Sequence, residues 1–181
     1  MNNAFLAVLT ILLNLAALLF LLRFLLQVVR ADFYNPLVQG IVSVTDPVLK
    51  PLRLALRPYR NLDFAAFVTA WGVLSLLGYT DLARAGGGSI PSAMIYGLFK
   101  TLMLVIDVFW WSILIGVIAS FVAPGNYHPA LQLVAQLTEP LMAPVRRILP
   151  ATGGLDFSPL VVILGLVFVR ELLPSLFATL F

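Results

Sequence analysis

Four long apolar runs dominate the 181-residue chain, separated by polar punctuation of two different kinds. A helix needs about 20 apolar residues to cross a bilayer core. Phe5–Leu22 carries no charge and extends to Val29 if Arg23 snorkels. Phe64–Thr80 is shorter and holds Gly72, Ser75 and Gly78. Leu102–Val122 is apolar except for Asp107, and Pro159–Phe181 except for Arg170 and Glu171. The pattern predicts four transmembrane helices. The first run has no basic leader and is too long for a signal-peptide core, so it is read as a retained span. ARAGGGSIPS, residues 83–92, reads as a flexible linker between spans two and three.

Residues 30–63 and 124–156 are different. They are proline-rich, moderately apolar and hold most of the basic side chains. Segments too polar to span and too apolar for loops belong at the membrane surface, apolar face down. Each is expected to form two short amphipathic helices with an elbow. Asn35-Pro36 offers an N-cap followed by proline at the first helical position. Thr45-Asp46-Pro47 and Thr138-Glu139-Pro140 offer that start again.

The two segments are one phrase written twice. At a constant offset of 93 residues, Tyr34, Pro36 and Gln39 recur as Tyr127, Pro129 and Gln132. Thr45, Pro47, Pro51 and Arg53 recur as Thr138, Pro140, Pro144 and Arg146, and Leu62-Asp63-Phe64 as Leu155-Asp156-Phe157. The fold class is therefore an all-α membrane protein of two parallel repeats, each a span, a proline-broken interfacial segment and a span. The repeats cover 1–82 and 93–181, with 83–92 between them.

Charge orients the chain. The repeated segments hold Arg30, Lys50, Arg53, Arg57, Arg60, Arg146 and Arg147; the other side offers Arg84 and Lys100. Positive residues gather on the cytoplasmic side, which places both termini outside. With 61% hydrophobic and 10% charged residues, and mean hydropathy +1.04, the chain cannot clothe itself as a soluble domain. It has no cysteine and one histidine, His128, which excludes thiol chemistry and argues against histidine metal or haem sites. No P-loop, GxGxxG, HExxH or nucleophile elbow is present, so neither an enzyme nor a cofactor is expected.

Two sets of residues are candidates for function. Thr45, Asp46, Pro47, Lys50, Arg53 and Arg57, with Thr138, Glu139, Pro140, Arg146 and Arg147, could meet anionic lipid or a protein partner. Arg23, Asp107, Arg170 and Glu171 form an intramembrane set, where an unpaired charge costs about 2.5–3.5 kcal/mol. Arg170 and Glu171 lie about 16 Å, and Asp107 about 24 Å, from the same face by helical rise. That spacing predicts an Arg170–Asp107 pair, with Arg23–Glu171 beside it.

With Asn35-Pro36, Thr45-Asp46-Pro47, Pro51 and Arg53 in one copy, and Thr138-Glu139-Pro140, Pro144-Val145-Arg146-Arg147 and Gly153-Gly154-Leu155-Asp156-Phe157-Ser158-Pro159 in the other, the chain resembles the YggT family of bacterial and plastid membrane proteins. The first copy departs at Arg60-Asn61 and Ala65-Ala66, which stand for the Gly-Gly and Ser-Pro of the second. The resemblance implies an inner-membrane protein without enzymatic activity. The family's associations are with division or nucleoid organisation, haem attachment in plastids, and osmotic tolerance or potassium handling. Haem attachment fits this composition poorly. Two functions follow as expectations: a scaffold or assembly factor that recruits anionic lipid or a membrane protein, or an oligomeric ion or osmotic-stress component. Neither calls for nucleic acid as a direct partner.

Overall fold

The computed structural model describes residues 2–56, 62–122, 128–149 and 156–178. They form six helices: α1 Asn2–Val28, α2 Pro36–Ala55, α3 Phe64–Arg84, α4 Ile90–Val122, α5 Pro129–Ile148 and α6 Ser158–Ala178. α1, α3, α4 and α6 are long and apolar enough to cross a membrane. The protein is an all-α, multi-pass membrane protein. Several polar side chains within the spans are satisfied by their own helix, as a dry environment favours. In α1, for example, Thr10 donates to the Leu6 carbonyl and Asn14 to the Thr10 carbonyl.

α2 and α5 are each a single helix, without the elbow expected at Thr45–Pro47 and Thr138–Pro140. An internal proline deletes one N–H bond and crowds the carbonyl four residues back. Pro47 and Pro51 are themselves four residues apart, so both disruptions fall on one side of α2, and that side is exposed. The opposite side keeps its ladder and buries Val38, Thr45 and Leu49. Thr45 does not cap a new helix; its hydroxyl donates back to the Ile41 carbonyl at 2.6 Å. Thr138 does the same to Val134 at 2.9 Å. The true starts are Asn35, whose side chain accepts from Leu37 N–H, and His128, which accepts from Ala130 N–H.

The stretch expected to be a flexible linker holds the end of α3 and the start of α4. α3 ends with Gly86 N–H on the Ala83 carbonyl and Gly87 N–H on the Leu82 carbonyl, with Gly86 at φ 88°. This is a Schellman ending, which glycine favours. Ser89 and Ser92 then bond each other's backbone N–H groups, a reciprocal cap that starts α4. Both flanking helices are consequently longer than the apolar runs suggested.

The two copies meet where α3 crosses α4. A Cβ added to Gly97 would stand 2.5 Å from the Ser75 Cα and nearer still to the Ser75 hydroxyl, so the two helices approach with no room for a side chain at Gly97. Trp71 Nε1 donates to the Met94 carbonyl across the same crossing at 2.9 Å. The main core joins Leu21 and Leu25 of α1, Leu49 of α2 and Ala65, Ala66 and Ala70 of α3, reaching Val108 and Leu137 of the second copy. Matching positions are buried in both copies: Thr45 and Thr138, Leu49 and Met142, Ala65 and Ser158. The second core, around Ile113, Met142 and Val162, is smaller, and α6 packs mainly on α4 and α5.

Candidate functional site

Arg23 stands late in α1, where it was expected to snorkel toward the cytoplasmic end or to meet Glu171. It does neither. It is 9% exposed and turns into α2. Its Nη1 donates to Thr45 Oγ1 at 2.6 Å and to the Val42 carbonyl at 3.0 Å. Its Nη2 lies 2.6 Å from Asp46 Oδ1. The back-donation of Thr45 to Ile41 leaves the hydroxyl's lone pairs facing this guanidinium. Glu171 sits exposed on α6.

Asp63, at 0% exposure just before α3, completes the cluster. Arg53 pairs with Asp63 Oδ2 through Nη2 and also donates from Nε at 3.1 Å. Arg23 Nε is 3.8 Å from the same oxygen. Asp46 further faces Lys50 and Arg53, each at 3.6 Å. Lys50 and Arg53 follow Asp46 by one and two helical turns, so all three share a face of α2. Two arginines and two aspartates thus tie α1, α2 and the start of α3 together. Partial burial alone would raise the Asp46 carboxyl; its contact with Arg23 and the charges of Arg23, Arg53 and Lys50 reverse that and hold it below 3.8.

The second copy builds the same clamp with fewer parts. Arg146, the counterpart of Arg53, bonds Glu139 at 2.9 and 3.1 Å and Asp156 at 3.1 Å. Asp156 Oδ1 also accepts the Ser158 N–H at 2.9 Å. Ser158 first, and then Arg146, hold Asp156 below its usual 3.8. Desolvation works against the Arg146 charge, but Glu139 and Asp156 outweigh it and raise its pKa. Gly116 occupies the position of Arg23, and Ala143 that of Lys50. This clamp lies open: Arg146, Glu139 and Asp156 are 45%, 56% and 44% exposed. Arg147 is exposed beside it. The prolines of both phrases, Pro47 and Pro140, are exposed. Arg57 lies outside the described residues, as do Arg60 and Gly153-Gly154.

Within the spans, Arg170 Nη1 is 3.2 Å from Asp107 Oδ1, joining α6 to α4. Asp63 and Asp156 were the functional residues missed by sequence reasoning. Their signal was the LDF triplet, which repeats together with the arginine ten residues before it.

A cavity of about 690 Å³ opens between α1 and α2 against the first clamp, lined among others by Arg23, Arg30, Phe33, Val42, Arg53 and Asp63. Arg30 follows the end of α1 at φ 56°. Arg30 N–H bonds the Gln27 carbonyl and Ala31 N–H the Leu26 carbonyl, the same Schellman geometry as the Gly86 corner. Among the described residues no three His, Asp or Glu side chains converge to hold a metal.

The CCB3/YggT family model matches residues 2–80 and again 95–177. The chain belongs to the CCB3/YggT family, with two YggT repeats. An uncharacterized protein of Pseudomonas aeruginosa is 42% identical over 169 residues, covering 92% of this chain and 86% of that protein. One of Vibrio alginolyticus is 40% identical over 164 residues, 88% of each. The uncharacterized protein YggT of Escherichia coli K12 is 34% identical over 162 residues, 90% of this chain and 85% of that one. No solved structure matches the chain. The family matches run through both clamps, so each YggT repeat carries its own Arg–Asp tie.

Proposed function

We propose that this YggT-family protein is a non-enzymatic scaffold or assembly factor of the bacterial inner membrane. α2 and α5 lie as amphipathic helices on the cytoplasmic surface, with both termini periplasmic, and capture anionic lipid or a membrane protein partner. The observation that carries this reading is the recurrence of the clamp. In both copies an arginine near the end of the non-spanning helix bonds an aspartate at the start of the next span, Arg53 to Asp63 and Arg146 to Asp156. That tie fixes each basic helix against the span that follows. Lys50 and Arg147 are left exposed where phosphates could reach them, each such contact contributing about 1 kcal/mol.

Crosslinking in native membranes from positions 138–148 should capture lipid or a defined protein, and Arg146→Ala with Arg147→Ala should abolish that capture. Unchanged capture, or labelling of a cysteine at position 50 from outside the cell, overturns the proposal.

The half-exposed Arg170–Asp107 pair favours a second reading, an oligomeric ion or osmotic-stress component. It requires ion flux in liposomes that Asp107→Asn removes; liposomes without flux dismiss it.

A further inference from the structure

The cavity beside the first clamp has a charge left over. Of its three arginines, Arg23 and Arg53 are taken up by Asp46 and Asp63. Arg30 has no ion pair among the described residues. It also sits in the left-handed region, where a side chain is strained and glycine is the ordinary choice. The chain makes that ordinary choice at the other Schellman corner, with Gly86. Keeping an arginine in a strained backbone at the mouth of a cavity points to a use for its guanidinium.

A second, independent feature lies deeper. Asp63 lines the cavity at 0% exposure, and its Oδ1 has no hydrogen-bond partner among the described residues, while Oδ2 carries the Arg53 contacts. A buried carboxylate oxygen without a donor is costly and calls for one. Apart from Gln27 and the Asp46 carboxylate already paired with Arg23, the remaining walls are apolar, with Leu26, Phe33, Val38 and Ile41. The site therefore asks for an anion, a hydrogen-bond donor close to it, and an apolar continuation.

We infer that this cavity binds the headgroup of a phospholipid that carries an N–H or O–H donor next to its phosphate. Arg30 takes the phosphate, Asp63 Oδ1 accepts from the ammonium or hydroxyl, and the acyl chains leave along Phe33 and Ile41. Phosphatidylethanolamine and phosphatidylglycerol satisfy all three demands. Phosphatidylcholine has no donor on its methylated nitrogen, and inorganic phosphate lacks the chains. The inference rests on the interfacial placement of α2 proposed above and names one class of ligand for it. The second copy has glycine, Gly116, at the position of Arg23 and alanine, Ala123, at that of Arg30, so the site belongs to the first repeat alone.

The test uses full-length protein in neutral detergent, with lipid affinity read by titrated thermal shift and by retention in native mass spectrometry. Phosphatidylethanolamine and phosphatidylglycerol should bind about tenfold more tightly than phosphatidylcholine, the worth of one charge-assisted hydrogen bond. Arg30→Gly should weaken both by about tenfold, again one such bond, while raising the melting temperature of the lipid-free protein by relieving φ. Arg147→Ala should leave affinity within about twofold, as an exposed charge remote from the cavity. Equal binding of phosphatidylcholine removes the donor and overturns the assignment. An equal shift from inorganic phosphate overturns the lipid. Equal losses in Arg30→Gly and Arg147→Ala overturn the cavity but leave the surface-scaffold reading standing. No loss in either variant overturns both the cavity and the lipid arm of that reading.

Discussion

The two clamps are written with nearly the same phrase and live in different surroundings. In the first, Arg23 and Arg53 face Asp46 and Asp63, and the cluster is closed over by α1. In the second, Gly116 replaces Arg23, and Arg146 alone serves Glu139 and Asp156 in the open. One residue from the preceding span decides the difference. With an arginine there, the carboxylates can be buried, because their charge is matched. With glycine, one cation serves two anions, and water must make up the rest. A buried charge pair is costly to break from one side, whereas an exposed one contributes little to folding. The first clamp thus reads as architecture and the second as surface chemistry free to exchange partners.

The largest expected effect tests that contrast directly. Asp63→Asn should destabilise the protein by about 1.5–3 kcal/mol, since it takes from Arg53 the charge of a fully buried carboxylate. Asp156→Asn should cost less than about 1 kcal/mol. Denaturation in detergent micelles measures both, and similar costs would erase the distinction between the copies. A middle-sized effect concerns acid. Asp46 and Asp156 both titrate below 3.8 in the folded protein. Their contribution is therefore present above that range and lost as pH falls through the lowered values. The melting temperature should hold from neutrality to about pH 4 and drop below it. In Arg23→Gln the drop should begin at higher pH, because the burial that raises Asp46 then meets less opposition. A drop at unchanged pH would mean that Arg23 does not govern this carboxyl. The smallest effect is a coupling, read on a transplant. A Cβ at Gly116 meets Val134 Cγ1 at 3.5 Å and nothing nearer among the described residues. Gly116→Arg alone places a charge in α4 and should cost up to about 3 kcal/mol, less whatever Glu139 and Asp156 return. In that background, however, Asp156→Asn should cost more than it does in the natural chain. An unchanged cost would show that the identity at this position does not make the two clamps differ.

Much of this was legible in the chain. Four spans followed from the length of the apolar runs, and the duplication from a gap-free offset. The elbow does not follow from proline alone. Two prolines one turn apart harm a single face of a helix, and that face of α2 is exposed. Glycines at 86–88 suggest freedom, and they do not by themselves disclose that Gly86 and Ser89 close two adjoining caps. Arg23 was given partners from the wrong place. Attention to charges inside spans pointed to Glu171, while its true partners sit on α2 and before α3. The substitution of Arg23 by Gly116 was visible in the alignment of the copies and marks where they diverge. Arg170 and Asp107, by contrast, fell within reach of each other because helical rise alone fixes depth along two straight rods.

Gly97 has a wider consequence. At that crossing the main chains of the two halves lie against each other beside the Ser75 side chain, so even one methyl group would have to push backbone aside. The duplicated halves are accordingly not two beads on a thread. They are packed along their inner spans, and a change at the α3–α4 seam is felt by both.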